Sequence, residues 1–416
     1  MNVGFVGLGK LGFPVALAIG SRGHSVIGWD ANPSVRADVE EGRLPPGERV
    51  PEDLVRASTL RVAPVEELVR ASEVVFIAVQ TPHEPALDGA GRLPGYRSDF
   101  DYSYLVAAVE SVSAAVAARE QGVTIAVIST VLPGTMERHV KPLLAAGVTL
   151  VYNPFFTAMG TTVEDFLKPE FVLLGFDGAA PADPAKTSLG SFYRTLHDSP
   201  IFTTDIRTAE LIKVAYNTFI GQKIVFANTM MEIAHKIGGN VDDVEAALGL
   251  ASNRIVSPRY LRGGMGDGGP CHPRDNIALS WLSEELGLSH DIFSDIMEAR
   301  EHQAEWLADL IAERANGLPI VVLGKAFKPD THLTEGSPGR LLAAILAERG
   351  IPFDHHDGHV DGPVPRIEER SPSLFFVATR HREYREATFP AGSLVLDPWG
   401  FIPDQDGVTV VRIGRP

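Results

Sequence analysis

The feature that most constrains this chain is its opening. Val3-Gly4-Phe5-Val6 is a continuous apolar run that leads directly into Gly7-Leu8-Gly9-Lys10-Leu11-Gly12 at the head of a helical pattern. In a strand that passes into a helix through three spaced glycines, each glycine has a job. The first makes the tight turn, the second lets backbone approach a pyrophosphate, and the third lets helix pack on strand. The helix start then offers free N–H groups and partial positive charge to the phosphates. Asp30 closes the next apolar run, Ser25-Val26-Ile27-Gly28-Trp29. That is about the ~20-residue distance expected of an acid that accepts from the adenosine ribose. Such an acid repels a 2′-phosphate, so the sequence favours NAD over NADP.

The apolar runs continue at Val74–Val79 and Thr124–Ile128, with further strands expected at Thr149–Val151 and Phe171–Leu174. Near-continuous apolar strands alternating with helices predict a parallel sheet covered on both faces. The pattern then changes. Leu211, Val214, Ala215, Thr218, Phe219, Gln222, Val225, Phe226 and Met230 fall largely at helical spacings. One long helix is therefore expected from about Thr208 to Ile237, closed by Gly238-Gly239. More helices are expected at Val241–Leu248, Asn276–Leu286 and Asp291–Asn316. Pro319–Gly324 begins another α/β section, with a helix at Gly339–Arg349 and strands at Leu374–Ala378 and Ser393–Asp397. The fold class expected is α/β: two Rossmann-like doubly wound domains joined by a central helical region with a long helix. The domains expected are 1–205 for NAD binding, 206–300 for dimerisation and the active site, and 301–416 for substrate binding.

A formal net charge of -16 argues against nucleic acid as a partner, because phosphate neutralisation needs clustered Lys and Arg. No apolar run reaches membrane-spanning length, and the N-terminus lacks a secretory pattern. A single cysteine fits a reducing cytoplasm. That cysteine, Cys271, lies in Gly268-Gly269-Pro270-Cys271-His272-Pro273-Arg274-Asp275. A lone thiol is more often a buried core residue than a nucleophile, so its role depends on its companions.

Those companions occur in order along the chain. Gly7–Gly12 and Pro14 are followed by Val79-Gln80-Thr81-Pro82, Asp101-Tyr102-Ser103-Tyr104 and Ser129-Thr130-Val131-Leu132-Pro133-Gly134-Thr135. Then come Ala209-Glu210-Leu211-Ile212-Lys213-Val214-Ala215-Tyr216-Asn217, the Cys271 segment, and Leu323-Gly324-Lys325-Ala326-Phe327-Lys328-Pro329-Asp330-Thr331 with Ser337-Pro338. This series resembles the UDP-glucose/GDP-mannose dehydrogenase family over nearly the whole chain. The family oxidises a sugar primary alcohol to a carboxylate with two NAD. The resemblance implies that Cys271 is the nucleophile, adding to an aldehyde as a thiohemiacetal that is oxidised to a thioester and then hydrolysed. It implies that Lys213 stabilises the oxyanion, that Asn217 positions it or a water, and that Asp275 orients water or tunes Lys213. Thr130 would hold a water or contact the nicotinamide region. The expected cofactor contacts are Gly7, Gly9, Lys10, Leu11, Gly12, Asp30, Val79, Thr81 and Thr130. The expected substrate contacts are Lys213, Asn217, Arg259, Tyr260 and Gly268, with Arg254 and Arg262 as further phosphate-gripping candidates. No metal is expected. The partners expected are a small anionic substrate and a second copy of the chain, with no membrane.

Several substrate-side positions depart from the family pattern. The family's Asn-Pro-Glu-Phe-Leu-Arg-Glu-Gly stretch stands here as Asn153-Pro154-Phe155-Phe156-Thr157-Ala158-Met159-Gly160, with Phe155 and Met159 replacing both glutamates. Glu335 stands where the family carries an arginine, Asp267 replaces an aromatic, and His272 replaces a phenylalanine. These departures imply a substrate other than UDP-glucose, and either another hydrolytic base, such as His272, or an arrested oxidation. The alternatives are a single-step NAD dehydrogenase acting on a modified nucleoside or polar metabolite, and a catalytically silent NAD-binding homologue.

Overall fold

The apolar runs of the N-terminal half form strands buried on both faces. In the computed structural model, β1 (Asn2–Val6), β2 (Ser25–Trp29), β3 (Arg61–Val62), β4 (Val74–Ile77), β5 (Val123–Val127), β6 (Val148–Tyr152), β7 (Val172–Phe176) and β8 (Ile201–Asp205) form one sheet. Its order is β3-β2-β1-β4-β5-β6-β7-β8. The structure describes residues 1–45, 50–82, 84, 96, 98–119, 121–158, 160–257, 263–266, 271–362 and 366–415. Within its helices the side chains of 228, 235, 271, 272, 274, 275 and 278 are excepted. Alternate residues of each strand enter opposite layers. Val3, Phe5, Val74 and Phe76 pack into one core, and Val6, Val75, Ile77, Ile125 and Val127 into the other.

The sheet is not wholly parallel. β6 and β7 run antiparallel, with Val151 opposite Phe176 and Tyr152 opposite Gly175, and all other pairs are parallel. An apolar run buried on both faces reads the same in either direction, so direction was not visible in Phe171–Leu174.

The Ile206–Ile237 helix begins two residues before its expected start at Thr208. Asp205, the last residue of β8, accepts from the Thr208 N–H at 3.0 Å and the Thr208 hydroxyl at 2.6 Å, capping the first turn. Gly238, at φ +73, follows its end. The chain divides into two compact units, Met1–Gly221 and Gln222–Pro416. In the second, the Cys271–Leu286 helix begins five residues before its expected start at Asn276. The Ile292–Ala315 helix is capped by Asp291, and Asn316 ends it in the left-handed region.

The second unit carries β9 (Ile320–Leu323), β10 (Asp354–His356), β11 (Leu374–Val377), β12 (Leu394–Asp397) and β13 (Thr409–Arg412). They form an all-parallel sheet in the order β10-β9-β11-β12-β13. Val322, Phe376 and Leu396 fill one layer against the Ile292–Ala315 and Pro338–Glu348 helices, while Val321, Phe375 and Val395 fill the other. Among the described residues, no helix is long and apolar enough to cross a membrane.

Candidate active site

The three opening glycines occupy three different environments. Gly7 has φ +94, and a Cβ there would lie 2.6 Å from the Ala78 carbonyl oxygen. A Cβ on Gly12 would lie 1.9 Å from the Gly7 carbonyl oxygen, so only glycine lets the Gly12–Ser21 helix reach β1. A Cβ on Gly9 would meet nothing within 4 Å. The turn and the helix contact are closed, and the middle glycine faces open space where a pyrophosphate can approach. Lys10 is exposed and Leu11 half-buried beside it. The residues present therefore fit a dinucleotide.

Asp30 is half-buried at the end of β2. Its Oδ2 accepts from the Leu8 N–H at 2.8 Å and its Oδ1 from the Asn32 N–H at 2.8 Å. These bonds hold the glycine turn against the second strand and leave further lone pairs for a ribose hydroxyl. The loops after β4 and β5 are tied to each other. The Thr81 hydroxyl donates to the Thr130 carbonyl at 2.7 Å, and the Ser129 hydroxyl donates to the Val79 carbonyl at 2.6 Å. Strands β1, β2, β4, β5 and β6 are parallel. Gly7, Asp30, Val79–Thr81, Ser129–Thr130 and Asn153–Phe156 therefore all sit at one sheet edge. The strand order reverses between β1 and β4, the position where such sheets bind ligands.

Lys213 is brought to the same edge by the long helix. An ordinary helix-face lysine would be solvated, but Lys213 is 7% exposed. Its Nζ donates to the Phe155 carbonyl at 2.7 Å and lies 4.9 Å from the centre of the Phe156 ring. Burial pulls its pKa below the ordinary lysine value. Asn217, one turn further along, is exposed and lines the same cleft of about 370 Å³. Phe156, Phe171, Tyr216, Asp165, Lys168 and Glu170 also line it. Phe156 stands 4.7 Å from Phe171 and 4.6 Å from Tyr216, ring centre to ring centre. The Phe155 ring turns inward, 5.3 Å from Phe166 and 6.4 Å from Phe76. Where the family carries a carboxylate, this chain presents a backbone carbonyl to the lysine and an aromatic ring to the core.

Glu210 stands in the same motif as Lys213, and the motif alone assigns it no role. It is completely buried on the same helix, and its carboxylate accepts from the Gly134 and Met136 N–H groups, the latter at 2.7 Å. Burial raises its pKa, against the opposing effect of those two bonds. Glu210 thus anchors the 129–135 loop, which carries Thr130, to the helix that carries Lys213.

Cys271 and Asp275 lie four residues apart in the Cys271–Leu286 helix of the second unit, and their side chains, like that of His272, are outside the described residues. Arg259, Tyr260, Arg262, Asp267, Gly268 and Met159 are also outside them. Arg254 and Glu335 are both exposed.

The second unit repeats the construction of the first. Gly324 follows β9 at φ +109, and a Cβ on Gly339 would lie 2.5 Å from the Gly324 carbonyl oxygen. The Gly324 N–H donates to the His356 carbonyl at 2.7 Å, as the Gly7 N–H donates to that of Trp29 at 2.8 Å. Asp357 follows β10 directly, as Asp30 follows β2, but it is fully buried. Its Oδ2 accepts from the Lys325 and Ala326 N–H groups at 2.6 and 2.9 Å.

Comparison with known proteins agrees with this construction. The NAD binding domain model of the UDP-glucose/GDP-mannose dehydrogenase family matches residues 1–197, and that family's central domain model matches residues 207–302. The chain is 31% identical to the UDP-glucose 6-dehydrogenase of Rhizobium meliloti, over 95% of this chain and 89% of the relative. It is 28% identical to the GDP-mannose 6-dehydrogenase of Pseudomonas aeruginosa, over 95% and 87%. The solved GDP-mannose dehydrogenase of Pseudomonas aeruginosa superimposes with a TM-score of 0.85 at 24% identity, covering 99% of each chain, and so shares the fold.

Proposed function

The chain belongs to the UDP-glucose/GDP-mannose dehydrogenase family, and from that premise we propose that it oxidises the primary alcohol of a nucleotide sugar other than UDP-glucose to a carboxylate. It is an NAD-dependent dehydrogenase acting on CH–OH donors. Gly7, Gly9, Lys10, Leu11, Gly12, Asp30, Val79, Thr81 and Thr130 would hold the dinucleotide, which supplies the hydride acceptor. The observation that carries the reading is the convergence of the glycine turn, Asp30, Thr81, Thr130 and buried Lys213 at one sheet edge.

In this reading Cys271 attacks the aldehyde stage as a thiolate, and loss of hydride from the thiohemiacetal leaves a thioester. Lys213 offers its N–H groups to the developing oxyanion, and Asn217 and Asp275 orient substrate and water. Arg259, Tyr260 and Gly268 contact the substrate. With Phe155 turned into the core, the base for hydrolysis is assigned to His272, next to the nucleophile. The aromatic cleft around Phe156 and the anionic Glu335 are the reasons for setting UDP-glucose aside. Leu211, Phe219, Ile224, Val225 and Met231 are exposed on the long helix, and we assign this apolar surface to a homodimer interface. We place the protein in the cytoplasm, where its single thiol stays reduced.

The test is NADH formation against a panel of nucleotide sugars, with NADH counted per substrate consumed. Two per substrate is the expected ratio. One per substrate means the reaction stops early, and no turnover with NAD still bound means a silent homologue.

A further inference from the structure

The carbonyl that holds Lys213 is itself held from behind. The pairing of β6 with β7 ends at Tyr152, and the chain then leaves the sheet through Pro154, which has no N–H to donate. Side chains take over from the ladder at this point. Asn153 is 1% exposed, and its backbone N–H donates to the Val127 carbonyl at 2.8 Å. Its Nδ2 donates to the Leu173 carbonyl at 3.0 Å, and its Oδ1 lies 2.6 Å from the Tyr193 hydroxyl. A carbonyl can only accept, so the amide nitrogen must face Leu173 and the amide oxygen must face Tyr193. The Tyr193 hydroxyl is therefore the donor, and burial raises its pKa, which keeps that proton in place.

Tyr193 is buried in the Ser188–Arg194 helix. One amide thus ties the end of β6 to β5, to β7 and to that helix. The Tyr193 ring stands 6.3 Å from Phe166, which stands 5.3 Å from the Phe155 ring. Tyr193 supports Phe155 twice, through Asn153 by its hydroxyl and through Phe166 by its ring. Among the described residues, Lys213 Nζ has no acceptor besides the Phe155 carbonyl. A lysine ammonium on a flexible four-carbon stem takes its position from its acceptor. A carboxylate would draw it in by charge, whereas a neutral carbonyl holds it by geometry alone.

We propose that Asn153 and Tyr193 are positioning residues for Lys213, fixing the Phe155 carbonyl that fixes Nζ, a role that rests on the reading of Lys213 as the oxyanion donor. Sequence spacing gives no hint of the pair, because the two residues are 40 apart.

The test uses the full-length chain. Tyr193→Phe removes one hydroxyl and keeps the ring, and Asn153→Ser is too short to reach Leu173 and Tyr193 together. Lys213 is labelled with acetic anhydride, and mass spectrometry compares it with Lys168, an exposed lysine of the same cleft. Labelling of Lys213 should be slow in the unsubstituted chain and roughly fivefold faster in both variants, with Lys168 unchanged. On a nucleotide sugar that is turned over, kcat should fall about tenfold while the KM for NAD stays the same. In a Lys213→Ala background, Tyr193→Phe should cost no further kcat, since the two act through one contact. Leu189→Ala, also buried in the Ser188–Arg194 helix, controls for lost stability, with Tm followed for every variant, and should leave Lys213 labelling unchanged. Lys213 labelling that is unchanged in both variants, or equally faster in Leu189→Ala, overturns the proposal, as does a kcat loss that persists in the Lys213→Ala background. Absence of turnover on every nucleotide sugar overturns the functional reading instead, and the labelling still decides the positioning.

Discussion

Removing the Glu210 carboxylate should loosen the first unit at one identifiable place. The Gly134 and Met136 N–H groups both donate to this completely buried side chain. Glu210→Ala leaves both donors without an acceptor, and a buried donor without a partner costs ~1–3 kcal/mol. Two of them give roughly 2–6 kcal/mol. Relief of the burial that raises the Glu210 pKa offsets part of this, so the lower half of the range applies. Glu210→Gln keeps one acceptor but turns an amide N–H toward the second donor, for a loss of ~1–3 kcal/mol. Urea unfolding gives the stability change, and hydrogen exchange of a peptide covering 129–136 locates it. The expected result is a lowered midpoint, faster exchange in that peptide, and a drop in turnover as the loop bearing Thr130 loses its tie to the helix bearing Lys213. A stability within ~0.5 kcal/mol of the unsubstituted protein, with the peptide still protected, would refute the anchoring role.

Two further predictions separate the glycines and test the buried lysine. Gly9→Ala should fold normally, since its Cβ meets nothing within 4 Å, yet lose NAD affinity. Gly12→Ala, with its Cβ 1.9 Å from the Gly7 carbonyl, should lose ~1–3 kcal/mol or more of stability as well. Calorimetry with NAD and thermal unfolding distinguish them, and equal stability losses would contradict the assignment. Because burial lowers the Lys213 pKa, the folded chain binds fewer protons than the unfolded one between that lowered value and the ordinary 10.5. Stability contributed by this residue should therefore rise with pH through that window. Lys213→Met should flatten the rise in alkaline denaturation curves, and an unchanged slope would count against a desolvated lysine.

The strands that the sequence reveals and those it hides divide on a physical line. Every strand read from an apolar run lies inside a sheet. Among the described residues, the four strands the sequence does not reveal, β3, β8, β10 and β13, are the four sheet edges. These edge strands are partly solvated, so they carry residues such as Thr203, Thr204, Asp354 and His355 in place of a continuous apolar run. The direction of β7 was hidden for the opposite reason, since burial on both faces erases any asymmetry. The cofactor turn was legible because its chemistry demands glycine at fixed spacings. Lys213 was named from a motif, but its burial against Phe155 and Phe156 depends on a contact between residues 58 apart in sequence. Glu210 and Asp357 look like ordinary surface acids in the sequence. Only the fold brings backbone N–H groups to them.

The central claim is that a covalent adduct on Cys271 carries the reaction to the acid. The most direct test compares uronate formation by the unsubstituted chain and by Cys271→Ala, with mass spectrometry of the product and a parallel measurement of NAD binding. The expected result is NAD binding intact in both and acid formed only with the thiol present. Acid produced at the normal rate by Cys271→Ala would contradict it.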